Sequence, residues 1–181
     1  LLMSLDDPGK TKLCLDRMKE ATIQFGIAQV EAGADAITLP DHATGDLVSG
    51  EYYNRYLRDL HIEFAERIRI PIILHICGKT EDRMEYIAQT GMAAFHYDSK
   101  NDPSESMAIM QNRISLVGNI NNPETLFAKG PEVVRQEVNK NMNASVHLVG
   151  PECAIPLQTS IENLKEIPLA VKEWHQDHKT N

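Results

Sequence analysis

Hydrophobic residues recur along the chain with two alternating kinds of spacing. Stretches with apolar residues three or four positions apart predict amphipathic helices. Short runs rich in Ile, Leu and Val lie between these stretches, and we interpret them as buried strands. Five strands are predicted in this way, at residues 35–39, 70–76, 92–97, 114–118 and 145–149.

The helices are predicted from the same spacing and from their end signals. Asp7-Pro8 is typical of a helix start and Gly33 of a helix end. Between them, one apolar face is predicted to carry Cys14, Met18, Ala21, Phe25 and Ala28. A second helix over 49–68 is expected to bury Tyr53, Tyr56, Leu60 and Phe64. Further helices are predicted at residues 80–90, 104–112, 131–142 and 159–175.

This regular alternation predicts an α/β fold with a parallel sheet and helical crossovers. Five βα units are too few to close a (β/α)8 barrel, and the chain has no glycine-rich phosphate loop. We therefore interpret residues 1–181 as one partial TIM-barrel domain, the C-terminal five βα units, lacking about three N-terminal units. The open edges of such a sheet could support self-association.

Composition narrows the functional classes. A net charge of −8 and an isoelectric point near 5.3 argue against nucleic acid or an anionic membrane as a partner. No apolar run approaches the roughly 20 residues needed to cross a bilayer, and no signal-peptide pattern opens the sequence. Three cysteines, an odd number, favour thiolates over disulfides. A cytoplasmic protein is therefore expected.

Chemically active side chains gather where the predicted strands end. In parallel α/β folds the carboxyl ends of the strands meet at one edge, and functional groups collect in the loops that follow. The candidate residues at this edge are Asp41, His42, His75, Cys77, Asp98, Asn119 and Cys153.

Three of these residues are suited to bind a metal. His75 and Cys77 lie two positions apart, so a strand would point both side chains to the same face. Cys153 follows the last predicted strand. One imidazole and two thiolates predict a single Zn²⁺ with an open fourth position, as in catalytic zinc sites. The alternative is that His75 and Cys77 only pack in the core. Cys14 is interpreted as a core residue of the first helix.

The remaining candidates have weaker signals. Asp41, His42, Asp98 and Asn119 could bind substrate or could close the turns that follow their strands. His96 and His147 could be structural histidines within strands. For an anionic substrate group, Lys79 and Lys100 are the cations nearest the predicted edge.

Five short motifs resemble the uroporphyrinogen decarboxylase superfamily, and most closely its methylcobamide:coenzyme M methyltransferases of methanogenic archaea. The motifs, which span most of the chain, are Gly33-Ala34-Asp35-Ala36-Ile37, Leu74-His75-Ile76-Cys77-Gly78, Leu116-Val117-Gly118-Asn119-Ile120, Asn122-Pro123-Glu124-Thr125-Leu126 and Gly150-Pro151-Glu152-Cys153. The His-x-Cys pair with a distant Cys is the most specific of them.

The resemblance implies both a metal site and a reaction. It assigns zinc binding to His75, Cys77 and Cys153. The implied reaction moves a methyl group from a methylcobamide, carried by a corrinoid protein, to the thiol of coenzyme M. Two alternatives stay open: another zinc-thiolate methyltransferase, such as a cobalamin-independent methionine synthase, and a non-catalytic zinc or corrinoid-protein docking domain.

Overall fold

The computed structural model describes residues 1–178. Its helices and strands alternate along most of the chain, as the hydrophobic pattern predicts. A short π-helix at Asn122–Phe127 follows the fourth strand. The other elements are α1 Leu2–Asp6, α2 Pro8–Glu31, β1 Ile37–Asp41, α3 Gly50–Tyr56, α4 Arg58–Arg67, β2 Ile72–Ile76, α5 Glu81–Ile87, β3 Ala94–Tyr97, α6 Pro103–Met110, β4 Ser115–Ile120, α7 Pro131–Asn143, β5 Leu148–Pro151 and α8 Ile161–Asp177.

The five strands form one parallel sheet in the order β1-β2-β3-β4-β5. The sheet confirms the predicted α/β architecture. Because all five strands run in the same direction, their carboxyl ends share one edge, which carries the loops after each strand. In the described part of the chain β1 and β5 are the edge strands. Self-association through these edges stays a prediction.

The two faces of the sheet differ in burial. Leu74 and Ile76 of β2, Phe95 and Tyr97 of β3, and Leu116 of β4 are fully buried in the helix-covered core. The alternate residues of β2, Ile73 and His75, point to the opposite face and are only partly buried. His75 therefore lies on the more accessible face of the sheet.

The predicted apolar face of α2 is wrong. Met18 and Phe25 are 68% and 69% exposed, whereas Ile23 and Gly26 are buried. Helix α2 instead approaches the end of α4 so closely that a Cβ atom at Gly26 would lie 2.5 Å from Cδ1 of Ile68. The face of α2 that packs against α4 is therefore the one with the small glycine, which allows the close approach, and not the one with the largest apolar side chains.

This packing predicts effects of different size on stability for two apolar residues of α2. Ile23→Val should destabilise the fold by about 0.5–1.5 kcal/mol, because it removes a buried methylene group. Phe25→Ala should change stability by less than about 0.5 kcal/mol, since the ring is mostly exposed. Chemical denaturation of both variants checks the assignment. A larger loss for Phe25→Ala than for Ile23→Val would restore the face predicted from the sequence.

Several element boundaries differ from the sequence prediction. The helix predicted over 49–68 is divided at Leu57 into α3 and α4, although Tyr53 and Phe64 are buried as expected. Strand β1 runs to Asp41, so this residue belongs to the strand and not to its exit loop.

Strand β5 begins at Leu148 and not at Ser145. Ser145 adopts a positive φ of 64°, and the N–H of Val146 donates to Asn141 O, so these residues close α7. His147 consequently lies before the strand, exposed, and its Nδ1 accepts the N–H of Leu116 at 3.1 Å.

Within residues 1–178, no helix combines the length and the apolar content that crossing a membrane requires.

Candidate metal centre

His75, Cys77 and Cys153 meet at the carboxyl edge of the sheet. His75 lies in β2, Cys77 directly follows that strand, and Cys153 follows β5. The Sγ atoms of the two cysteines are 3.0 Å apart, and Cys77 Sγ lies 3.2 Å from His75 Nε2. One ligand atom from each residue falls within 4.8 Å of the others. Residues 75 and 153, far apart in sequence, therefore contribute to a single cluster.

The imidazole of His75 is oriented by the neighbouring strand. Its Nδ1 lies 3.3 Å from the carbonyl oxygen of His96, which can only accept, so Nδ1 donates and Nε2 keeps its lone pair towards Cys77. The two histidine rings lie 4.5 Å apart, and His96 Nε2 donates to Pro151 O at 2.7 Å. Burial, followed by the nearby His96, lowers the pKa of His75. A neutral imidazole with a free nitrogen is the form that binds metals.

The surroundings of the Cys77 thiol disfavour its deprotonated form unless a cation is bound. Burial raises the pKa of Cys77 to about 12, and the hydrogen bond and charge of Cys153 act in the same direction. The carboxylates of Asp98 and Glu152 add to this effect. A divalent cation would reverse the balance, because metal coordination deprotonates a thiol outright. Two thiolates and one imidazole are a donor set that fits tetrahedral zinc with a free fourth position.

A network of amide side chains joins the loops around the cluster. Asn101, which is buried after β3, donates from Nδ2 to Gly78 O and Asp98 O, and its Oδ1 accepts the N–H of Thr80 at 2.8 Å. Asn119, buried in β4, donates to Asn101 O at 2.9 Å. These bonds fix the segments after β2 and β3 relative to each other, and so fix the position of Cys77.

Two carboxylates complete the network. Asp98 accepts the N–H of Gly78 at 2.8 Å and that of Lys100 at 2.9 Å. Glu152, next to Cys153, is buried and accepts the N–H groups of Ser99 and Asn122. The loops that surround the three-residue cluster are therefore held largely by hydrogen bonds between side chains and backbone.

The loop after β1 packs directly on the segment that follows Cys77. The N–H of Gly45 donates to Lys79 O at 2.7 Å. Gly78 has a positive φ of 77°, and a Cβ atom there would overlap the Thr44 hydroxyl. Glycine at position 78 therefore meets two requirements, left-handed backbone and close approach of a neighbouring loop.

Asp41 is placed away from the three-residue cluster. It pairs with Ile76 in the sheet register and shares the helix-covered face, opposite to His75. Its carboxylate contacts His61 Nε2 at 3.0 Å and accepts the N–H of Ala43. Burial alone would raise the pKa of Asp41, but the hydrogen bond and charge of His61 hold it below its ordinary value. His61 in turn bonds to Tyr53 through Nδ1, which fixes α3 and α4 around the end of β1.

The other predicted residues occupy different environments. His42 is exposed, whereas Asn119 is buried and bonds to backbone oxygens. Asp98 lies beside the cluster and acts on the pKa of both His75 and Cys77. Lys100 contacts Asp46 at 3.2 Å.

Asn101 and Glu152 are the contributors that sequence reasoning missed. The available signal is their position in the sequence: Asn101 lies three residues after Asp98, and Glu152 directly precedes Cys153. Their hydrogen-bond partners are backbone groups of distant loops, which a residue pattern cannot reveal.

The sheet and its edge define a class of protein: a parallel α/β protein with one histidine and two cysteines, a group that could hold a metal ion, at the ends of its strands. The chain belongs to the uroporphyrinogen decarboxylase (URO-D) family, whose model matches residues 1–174.

The chain is similar to several individual relatives. The chain is 31% identical over 163 residues to a methylcobamide:CoM methyltransferase, MtaA, of Methanosarcina barkeri, covering 89% of the chain and 48% of that protein. It is 28% identical to a methylated-thiol–coenzyme M methyltransferase of Methanosarcina mazei, over 92% of the chain and 46% of the relative. A uroporphyrinogen decarboxylase of Novosphingobium aromaticivorans is 27% identical, over 93% and 51% respectively.

A solved structure agrees with these relatives. The structure of a methyltransferase from Methanosarcina mazei superposes with a TM-score of 0.92 at 27% identity, covering 96% of this chain and 52% of the other. The chain therefore spans about half the length of the relatives it matches. The predicted architecture, five parallel βα units of a TIM barrel, is confirmed.

Proposed function

We propose that this protein is a zinc-dependent methyltransferase that moves a methyl group from a methylated corrinoid protein to the thiol of coenzyme M. The observation that carries the proposal is the convergence of His75, Cys77 and Cys153, with ligand atoms within 4.8 Å of one another. The names of the relatives from Methanosarcina support coenzyme M as acceptor and a methylcobamide as donor.

The donor set explains how a thiol could become a nucleophile. Bound Zn²⁺ would supply a positive charge that keeps an incoming thiol deprotonated, whereas a free thiol with a pKa near 8.5 is mostly protonated at neutral pH. Cys77 and Cys153 as thiolates offset the metal charge, and His75 adds a neutral donor. Asp98 and Glu152 contribute further negative charge beside the site. Such a site leaves electron density on the substrate sulfur.

We propose that further strands, outside this chain, complete the barrel. We interpret residues 1–181 as five βα units, with about three further N-terminal units closing the barrel in the complete protein. Asp98 and the exposed His42 are the residues of this chain that we propose to face the substrate. Asp41 and the buried Asn119 are proposed to act through the loops they hold.

A comparison of two thiol acceptors tests the proposed function. The zinc-loaded protein is incubated with methylcobalamin and with either coenzyme M or homocysteine, and methylated thiol is measured by mass spectrometry. We expect faster methylation of coenzyme M and loss of the reaction after zinc is removed by a chelator. Preference for homocysteine would favour a methionine-synthase-like enzyme, and an unchanged rate without zinc would contradict the mechanism.

A further inference from the structure

Glu152 is a buried carboxylate that is adjacent in sequence to one of the proposed metal ligands. Only 5% of the residue is exposed. Burying a charged carboxylate is costly unless hydrogen bonds compensate it. Both oxygens of Glu152 accept backbone N–H groups, Oε2 from Ser99 at 2.8 Å and Oε1 from Asn122 at 2.9 Å. Charge-assisted bonds of this kind are stronger than neutral ones.

These two bonds reach two different strands. Ser99 follows β3 and Asn122 follows β4, while Glu152 itself follows β5. The backbone N–H of Glu152 also donates to Ile120 O at 2.9 Å, which continues the β4–β5 pairing beyond the strand. One side chain therefore connects the carboxyl ends of three adjacent strands at the point where Cys153 emerges.

Cys153 follows Glu152 directly in the chain. Its Sγ lies 3.0 Å from that of Cys77, which follows β2. Because β3 and β4 lie between β2 and β5 in the sheet order, the segment after β5 must extend over the ends of these two strands. Pro151 O, immediately before Glu152, accepts from His96 of β3 in the same direction. Glu152 and His96 thus both connect the segment that carries Cys153 with β3 or with the residues that follow it.

We propose that Glu152 is a positioning residue for the metal centre, whose carboxylate holds Cys153 within reach of Cys77 by tying the ends of β3 and β4 to the segment after β5. The inference rests on the proposed zinc site and adds to it a residue that contributes no ligand atom. It also explains why a buried carboxylate is retained beside two thiolates.

The chain contains a matched control in Glu137. This residue of α7 also holds the end of β4 through both oxygens, accepting the N–H of Asn121 at 2.9 Å and the hydroxyl of Thr125. One of its partners, Asn121, therefore adjoins Asn122, a partner of Glu152, but the hydrogen bonds of Glu137 do not reach the segment that carries Cys153. If Glu152 only stabilised the fold, substitution of either glutamate would have the same effect on metal binding.

The test compares Glu152→Gln, Glu152→Ala and Glu137→Gln in the full chain. Zinc affinity is measured by competition with a chelator, and the thiolate-to-metal charge-transfer absorption is recorded after loading with Co²⁺. We expect Glu152→Ala to lower zinc affinity by about 10–100-fold, the usual cost of losing an outer-shell contact. Glu152→Gln should fall between wild type and Ala, because its amide keeps one acceptor. Glu137→Gln should leave both readouts at the wild-type value.

Two results would overturn the inference: wild-type zinc affinity and cobalt absorption in Glu152→Gln, or equal losses in Glu152→Gln and Glu137→Gln. The Gln variant decides the question if Glu152→Ala does not fold. The proposed function fails separately, when the wild-type chain itself binds no zinc or binds it without thiolate ligands.

Discussion

Cys153→Ala is expected to lower the zinc affinity of the chain by more than about 100-fold, because loss of even an outer-shell contact costs 10–100-fold. Among residues 1–178, removing this thiol leaves Cys77 and His75 of the three-residue cluster, two ligands for a metal that is held by three protein ligands in catalytic centres. Cys77→Ala should have an effect of the same size. Metal content after dialysis, measured by inductively coupled plasma mass spectrometry, gives the result.

Cys14→Ala is the matched control for these two variants. Cys14 is a free, partly buried thiol of α2 and does not belong to the three-residue cluster. The variant should therefore keep its zinc. Full zinc retention in Cys153→Ala, or loss of zinc in Cys14→Ala, would show that the ligands have been assigned incorrectly.

Gly78→Ala is expected to destabilise the fold and to weaken zinc binding together. The positive φ of Gly78 costs about 1–2 kcal/mol for a residue with a Cβ atom. Overlap with the Thr44 hydroxyl adds overpacking, which typically costs about 1–3 kcal/mol. To relieve the overlap, either the loop after β1 or the segment that follows Cys77 must move. Thermal unfolding and zinc affinity of the variant measure the two effects.

Gly33→Ala separates backbone strain from the collision. Gly33 has a φ of 96°, and a Cβ atom there would meet no other atom within 4 Å. Gly33→Ala should therefore show only the loss from backbone strain and keep its zinc affinity. Equal losses in the two variants would mean that the contact between Thr44 and Gly78 does not shape the metal site.

Strand periodicity was the most informative signal in the sequence. The run that ends at Cys77 is apolar and β-branched because it is buried in a parallel sheet, and this alone places His75 and Cys77 at a strand end. The common direction of the strands then brings Cys153 to the same edge. Both inferences use only the geometry of parallel strands, which holds whatever the surrounding side chains are.

Helix faces and loop contacts were less predictable. In α2 the spacing of Met18 and Phe25 indicates a buried face, but a close approach at Gly26 decides the packing. The sequence pattern ends β1 two residues early and so predicts Asp41 in a loop, whereas the residue lies in the strand and faces His61. Such outcomes depend on tertiary neighbours, which a single sequence does not display.

X-ray absorption at the zinc edge tests the central claim most directly. The zinc-loaded protein should show two sulfur neighbours and at least one nitrogen, as His75, Cys77 and Cys153 require. Addition of coenzyme M should raise the sulfur count to three, since the thiol sulfur would enter the free position as a thiolate. A count that stays at two when coenzyme M is bound would contradict activation of the thiol by zinc, and with it the proposed methyl transfer.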